Sequence, residues 1–224
     1  MRERQLQVRR LGRFAYDAGL DLQKELEAEV IERRETDFLL LLEHPHTFTL
    51  GRRAKTEGVL ASAETLKKLG AEVFETNRGG KVTYHGIGQI VGYPIIDLSA
   101  GRKDVHRYVR EIEEVLIKTM TDFGIEAFRL EGLTGVHTKE GKVAAIGVHI
   151  KRWVTTHGFA LNVNTDLSFF DQIIACEGEP VASMEQLLGR ELSLAEVETK
   201  IIKNFTEIFD FEKIEQFEKA ALSA

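Results

Sequence analysis

RGGKVTYHGIGQIVGYPIID, Arg78 to Asp97, is a stretch whose residue choice local propensity does not explain. Val82, Tyr84, Ile90, Val91, Tyr93, Ile95 and Ile96 supply the β-branched and aromatic side chains of strands, yet Gly79, Gly80, Gly86, Gly88 and Gly92 interrupt them. A glycine inside a strand gives up packing and costs conformational entropy. Repeated glycines therefore predict bulges, turns with positive φ, or something lying close against the main chain. Arg78, Lys81, Tyr84, His85 and Gln89 stand between them as polar groups able to face a ligand. Two readings stay open, a bulged hairpin with tight turns and a ligand-binding strand. Two nucleotide folds are excluded. Gly86, Gly88 and Gly92 lack the last spacing of G-x-G-x-x-G and run into Tyr93-Pro94, which favours extended chain. No G-x-x-x-x-G-K-[ST] string occurs.

Upstream of this stretch, Phe38 to Leu42 is an apolar run short enough for a strand buried on both faces. Glu43-His44-Pro45-His46 follows, then a strand at Thr47 to Leu50 and a polar loop at Gly51-Arg52-Arg53. No carboxylate or cysteine stands at a ligand spacing from the two histidines, so no metal is expected. Leu6 and Val8 alternate as a first strand, and Phe14, Ala18, Leu22, Leu26 and Val30 recur every four residues through a helix ending near Glu35. Ser62 caps a helix to Leu69 that Gly70 ends, and Glu72 to Thr76 reads as a strand.

Downstream, Asp104 caps the clearest helix, with Val105, Tyr108, Val109, Ile112, Val115, Leu116, Met120 and Phe123 on one face and Gly124 as terminator. Thr134 to Thr138, the turn Lys139-Glu140-Gly141, and Lys142 to Ile150 predict a hairpin, and Thr156 to Val163 a further strand. Asn162, Asn164, Thr165 and Asp166 are turn chemistry. Ser193 to Glu196 is a capping box opening a helix through Ile201, Phe205, Ile208 and Phe209. The class is α+β, a mixed sheet with flanking helices.

At 224 residues with 43% hydrophobic content the chain can bury a sizeable core, and it contains no linker or repeat, so one domain is expected. No apolar run approaches the ~20 residues of a membrane span. MRERQLQVRR lacks an apolar core and contains Glu3, which predicts no secretory signal and a cytoplasmic chain. One cysteine cannot form an internal disulfide, in keeping with a reducing compartment. A net charge of -6 argues against bulk nucleic-acid binding, so an acidic partner would need a local basic cluster such as Arg52-Arg53-Lys55, Arg102-Lys103 or Lys151-Arg152.

Cys176 follows Ile173-Ile174-Ala175 and precedes Glu177-Gly178-Glu179-Pro180, where a strand gives way to a polar loop. A lone cysteine is a small buried hydrophobe or, in such a setting, a nucleophile. Lys142, by residue chemistry alone, is a solvated hairpin lysine.

RGGKVTYHGIGQIVGYPIIDL closely resembles the signature of the lipoyl(octanoyl) transferases. KVAAIGVHIKRWVTTHGFALNVNTDLSFF, Lys142 to Phe170, resembles the family's second block, with Cys176 after it, and LEHPHTFTLG resembles the entry to its substrate pocket. The resemblance implies the fold of the biotin and lipoate protein ligases as one catalytic domain over residues 1–224. It implies transfer of an octanoyl group from octanoyl-acyl carrier protein to lysines on lipoyl domains of 2-oxoacid dehydrogenases and the glycine cleavage H protein. Cys176 would carry the acyl group, and Lys142 would face it and lower its pKa. Substrate contact would fall to Arg78, Gly79, Gly80, Lys81, Val82, Thr83, Tyr84 and His85, to Ala145, Ile146 and Gly147, and to Gly158, Phe159 and Ala160. Main-chain amides beside the glycines would stabilise the oxyanion. No cofactor is implied, since a thioester is already activated, and a monomer without membrane or nucleic-acid partners is expected. The chain departs from the family at Ile87 and Ala175, where proline is usual, at His137, where tryptophan is usual, and at Glu177-Gly178, where Gly-Ile is usual. The rivals are an ATP-dependent lipoate or biotin ligase and a non-catalytic carrier-binding relative.

Overall fold

The run Phe38 to Leu42 lies within β2 (Thr36–Glu43), near the middle of a seven-stranded sheet, and shows why it is apolar throughout. Leu39 and Leu41 pack into one hydrophobic cluster, and Phe38, Leu40 and Leu42 into another on the opposite face. Alternation along a strand sends successive side chains to opposite faces, so a strand covered on both sides has no solvent-facing register. The structure, a computed structural model, describes residues 4–54, 58–99, 101–174 and 179–218.

The strands of the large sheet are β1 (Gln5–Arg13), β2, β6 (Gln89–Ile95), β7 (Val136–His137), β8 (Lys142–Lys151), β9 (Val154–Asn162) and β10 (Lys213–Glu218), in the spatial order β10-β1-β2-β6-β9-β8-β7. β1 runs parallel to both β10 and β2, and the remaining neighbours are antiparallel. The sheet is mixed, as expected. One face carries α1 (Tyr16–Arg33), and the other carries α3 (Val105–Asp122) and α5 (Leu194–Ile208). A smaller sheet, β4-β3-β5, pairs β3 (Thr47–Leu50) with β4 (Glu72–Glu75) and β5 (Val82–His85) over its own cluster of Phe48, Val82, Tyr84, Phe169 and Ile173.

The helix caps follow the sequence closely. Ser62 accepts from the Thr65 amide at the start of α2 (Ala63–Leu69), which Gly70 ends at φ 62°. Asp104 accepts from the Arg107 amide ahead of α3, and Ser193 from the Glu196 amide ahead of α5. Two readings need correction. The stripe of α1 buries Tyr16, Gly19, Gln23, Leu26, Glu27 and Val30 and leaves Ala18 exposed. A repeat of four advances about 400° against 360° per turn, so a strict i, i+4 series drifts off the buried face, whereas 3-4 spacing holds it. The Arg78–Asp97 stretch is not a hairpin either. β5 belongs to the small sheet and β6 to the large one, and Gly86 to Gly88 carry the chain between them. The short α4 (Met184–Leu188) and the edge strand β10 were not foreseen. β10 is a mostly exposed strand recruited by parallel pairing with β1, a partner over two hundred positions away.

Candidate active site

The crossing between the two sheets also explains the glycines. Gly88 has φ +80°, and a Cβ there would lie 2.2 Å from the Asn164 carbonyl oxygen; that crossover is pinned by Val163 and Asn164 amides donating to the Gly88 oxygen. A Cβ on Gly147 of β8 would lie 2.8 Å from the Gly79 oxygen, because the Gly79 amide donates to Val148 O at 2.9 Å and seats residues 78–80 on β8. What approaches the main chain so closely is the chain itself. The glycines thereby fold the Arg78–His85 segment back over β8 and β9 and leave a hollow between them.

That hollow is a cavity of about 180 Å³. Val82, Ile146, Phe159 and Ala160 form its apolar wall, Gly132, Leu133 and Thr134 its far side, and Arg53, Lys81 and Lys142 bring cations to it. No carboxylate lines it among the described residues. Of the residues singled out by resemblance, the cavity gathers Arg78, Gly80, Lys81, Val82, Thr83, His85, Lys142, Ala145, Ile146, Gly147, Gly158, Phe159 and Ala160. Two stand apart. Gly79 contributes its backbone alone, its amide donating to Val148 O and its carbonyl accepting from Arg78 Nη1. Tyr84 points away: it is fully buried against Phe48 and Phe169, and its hydroxyl meets His46 Nδ1 at 2.7 Å. Strand alternation places it opposite Thr83 and His85.

The buried floor holds three residues that the sequence reading missed as site residues, Tyr16, Tyr93 and His157. Their order in the chain gives no local signal, since α1, β6 and β9 bring them together. Arg78 is 7% exposed and donates to the Thr49 carbonyl at 2.6 Å, to Thr49 Oγ1 and to the Gly79 carbonyl, so its charge is fixed in the cavity lining. Burial pushes the His157 imidazole down to about 3, and Arg78 adds to that. Burial likewise holds His85 far below the usual histidine range, with His44 and Arg78 next in effect. Both rings are neutral at pH 7. His157 Nε2–H donates to Asn77 Oδ1 at 2.7 Å, and His85 Nδ1–H to Gln89 Oε1 at 2.9 Å, which fixes the tautomers. His44, pushed down to about 4 by burial, donates from Nδ1 to Phe14 O, so its Nε2 accepts from the Tyr93 hydroxyl. The two histidines around Pro45 thus turn to different tyrosines. His157 sits at φ 56°, and its amide donates to Gln23 Oε1 at 2.7 Å, a strained backbone held by α1.

Lys142 is half-buried rather than a solvated hairpin lysine. Its side chain crosses Gly135, where a Cβ would lie 2.6 Å from Lys142 Cε. Its amide donates to Pro180 O at 2.8 Å, and its carbonyl accepts from the Ala182 amide at 3.0 Å. The segment that follows Cys176 in sequence is therefore paired with the backbone of Lys142. Cys176, with Ala175, Glu177 and Gly178, lies outside the described residues. On its near side the Ile174 amide donates to Gly58 O. His137, the register partner of Lys142, is 2% exposed with Nε2 3.5 Å from Glu179 Oε2; burial, then Lys142, lowers its pKa, and Glu179 works against both.

Both the sequence and the fold have counterparts among known proteins. Residues 15–206 match the lipoyl protein ligase A/B catalytic domain. An octanoyltransferase of Solibacter usitatus is 51% identical over 208 residues, 92% of this chain and 94% of that protein. Among solved structures, a lipoate-protein ligase A bound with ATP superposes with a TM-score of 0.76 at 18% identity, over 97% of this chain and 89% of that one. The apo biotin protein ligase of Aquifex aeolicus gives 0.52 at 12% identity, over 95% and 72%. The last two establish a shared fold.

Proposed function

Because the chain belongs to the lipoyl protein ligase A/B catalytic domain family and is an acyltransferase, we propose that it moves an octanoyl group from octanoyl-acyl carrier protein to lysine ε-amines on lipoyl domains. The Cys176 thiolate adds to the donor's thioester carbonyl, the C–S bond to the carrier breaks, and the carrier thiolate leaves and takes a proton. A neutral lysine amine then adds to the acyl-enzyme carbonyl, the bond to Cys176 breaks, and the amine's surplus proton leaves for solvent. The first step exchanges one thioester for another and the second turns a thioester into a more stable amide, so no ATP is needed. Lys142 serves as the nearby cation that holds the thiol as thiolate at neutral pH. Residues 1–224 act as one catalytic domain, as a cytoplasmic monomer. Among the described residues no helix is long and apolar enough to cross a membrane.

The observation that carries this reading is the placement of Lys142 on a cavity with an apolar wall of Val82, Ile146, Phe159 and Ala160, with its backbone paired to Pro180. An apolar cavity of about 150 Å³ takes up benzene, so about 180 Å³ has the volume for a short run of methylenes along the apolar wall. The ligase alternative shares the fold at 18% identity, against 51% for the octanoyltransferase. The test is intact-mass measurement after mixing the protein with octanoyl carrier protein without ATP. One octanoyl group should appear on the wild type and none on C176A. Modification that requires ATP would indicate a ligase, and none under any condition a carrier-binding protein.

A further inference from the structure

Glu113 lies at the centre of α3, fully buried between Ile112 and Val115 on the apolar face. A carboxylate there is costly unless every lone pair is answered. Its Oε2 accepts from Arg110 Nη1 at 2.7 Å and from Arg129 Nε at 3.1 Å, and its Oε1 accepts from the Gly135 amide at 3.0 Å. Arg129 also donates to Glu114 Oε2 at 2.6 Å and to the Arg110 carbonyl at 3.0 Å. One carboxylate therefore holds both ends of the loop from Arg129 to Gly135. Between those ends Gly132, Leu133 and Thr134 form a wall of the cavity. At the far end lies the glycine that Lys142 crosses, where φ is +132° and a Cβ would meet Lys142 Cε and the Ala144 oxygen, both at 2.6 Å.

We propose that Glu113 is a positioning residue that, through Arg129 and the Gly135 amide, sets the Leu133 wall against the acyl chain and seats Lys142 beside it. The proposal rests on this cavity and Lys142 serving octanoyl transfer, as proposed above. Chain length would then be selected partly from inside helix α3, by a residue that touches no substrate.

The test separates positioning from stability with three variants. Arg129→Gln frees one end of the loop, Arg110→Gln removes a bond to the same carboxylate without touching the loop, and Gly135→Ala displaces the Lys142 side chain. One methylene in an apolar pocket is worth roughly 10-fold in discrimination. Decanoyl is two methylenes longer than octanoyl, so R129Q should lose up to roughly 100-fold of the octanoyl-over-decanoyl ratio of kcat/KM, while R110Q keeps the wild-type ratio even where its Tm falls equally. In G135A the pH at which octanoyl-enzyme formation reaches half its maximum should rise by about one unit. Wild-type ratios in R129Q with a wild-type pH profile in G135A overturn the proposal. Should the wild type transfer no octanoyl group, octanoate and decanoate binding measured by calorimetry replaces turnover. The same loss of preference in R129Q alone then supports the wall assignment, and equal preference in all variants overturns it.

Discussion

Replacing Gly147 by alanine tests whether the Arg78–Gly80 segment is held on β8 by close backbone contact. The new Cβ would lie 2.8 Å from Gly79 O, 3.3 Å from Arg78 Cδ and 3.5 Å from Arg78 Nη1. Ordinary contact begins near 3.4 Å, so the segment must retreat by about 0.6 Å. The bond from the Gly79 amide to Val148 O, now 2.9 Å, would stretch toward the edge of hydrogen bonding. Losing it costs about 1 kcal/mol, and overpacking adds roughly 1–3 kcal/mol. A total near 3 kcal/mol lowers Tm by roughly 6–12 °C in a chain of this size. The same retreat moves Arg78 and Gly80, which line the cavity, so KM for the octanoyl donor should rise more than kcat falls. Thermal unfolding by circular dichroism and steady-state kinetics on one preparation measure both. Gly158→Ala serves as the harsher control, because its Cβ would lie 2.2 Å from the Gly92 oxygen in the middle of the large sheet. A G147A protein that melts within 2 °C of wild type, or whose KM is unchanged, would refute the claim that this contact shapes the site; 2 °C corresponds to at most about 1 kcal/mol.

Lys142→Ala should slow octanoyl-enzyme formation and raise the alkylation pKa of Cys176, because a nearby cation is lost; an unmoved alkylation profile would count against that role. Acid should destabilise the fold through His44 and His157. The unfolded imidazole takes up a proton below about 6.5, whereas the folded rings resist until about 4 and about 3, so their contribution is full above the unfolded value and is lost as pH falls. At pH 4 each forfeits up to about 3 kcal/mol. Asp37 and Glu198, raised by burial to about 6 and about 7, act with the opposite sign and regain stability as pH falls. Urea unfolding of His44→Gln should therefore show a shallower loss between pH 6.5 and 4 than wild type, and an identical slope would exclude His44 as a source. Carrier docking should draw on Arg53 at the cavity, since Arg102 is already paired with Glu111 and Asp210 and Lys151 with Glu27. Arg53→Glu should raise KM for an acidic carrier and flatten its dependence on salt, while Lys68→Glu on α2 leaves both unchanged.

The elements that could be read from the chain alone are those whose signals are local. Caps at Ser62, Asp104 and Ser193, the terminators Gly70 and Gly124, and the two-faced run of β2 each depend on residues within a few positions, and all appear where the sequence placed them. Motif resemblance also carried most of the cavity lining, because the glycines that mark the motif are the positions where backbones must touch. What those backbones touch is a tertiary matter. The Gly79 carbonyl over Gly147 and the Asn164 carbonyl over Gly88 join segments far apart in sequence, and no local pattern distinguishes a neighbouring strand from a ligand. The same holds for the division of β5 and β6 between two sheets and for the pairing of β10 with β1. Tyr16, Tyr93 and His157 became one cavity floor, and Glu113 became the anchor of a loop, only through packing of distant elements. Side-chain chemistry and short-range backbone preference are written in the sequence position by position, whereas the meeting of remote groups follows from how the whole core closes.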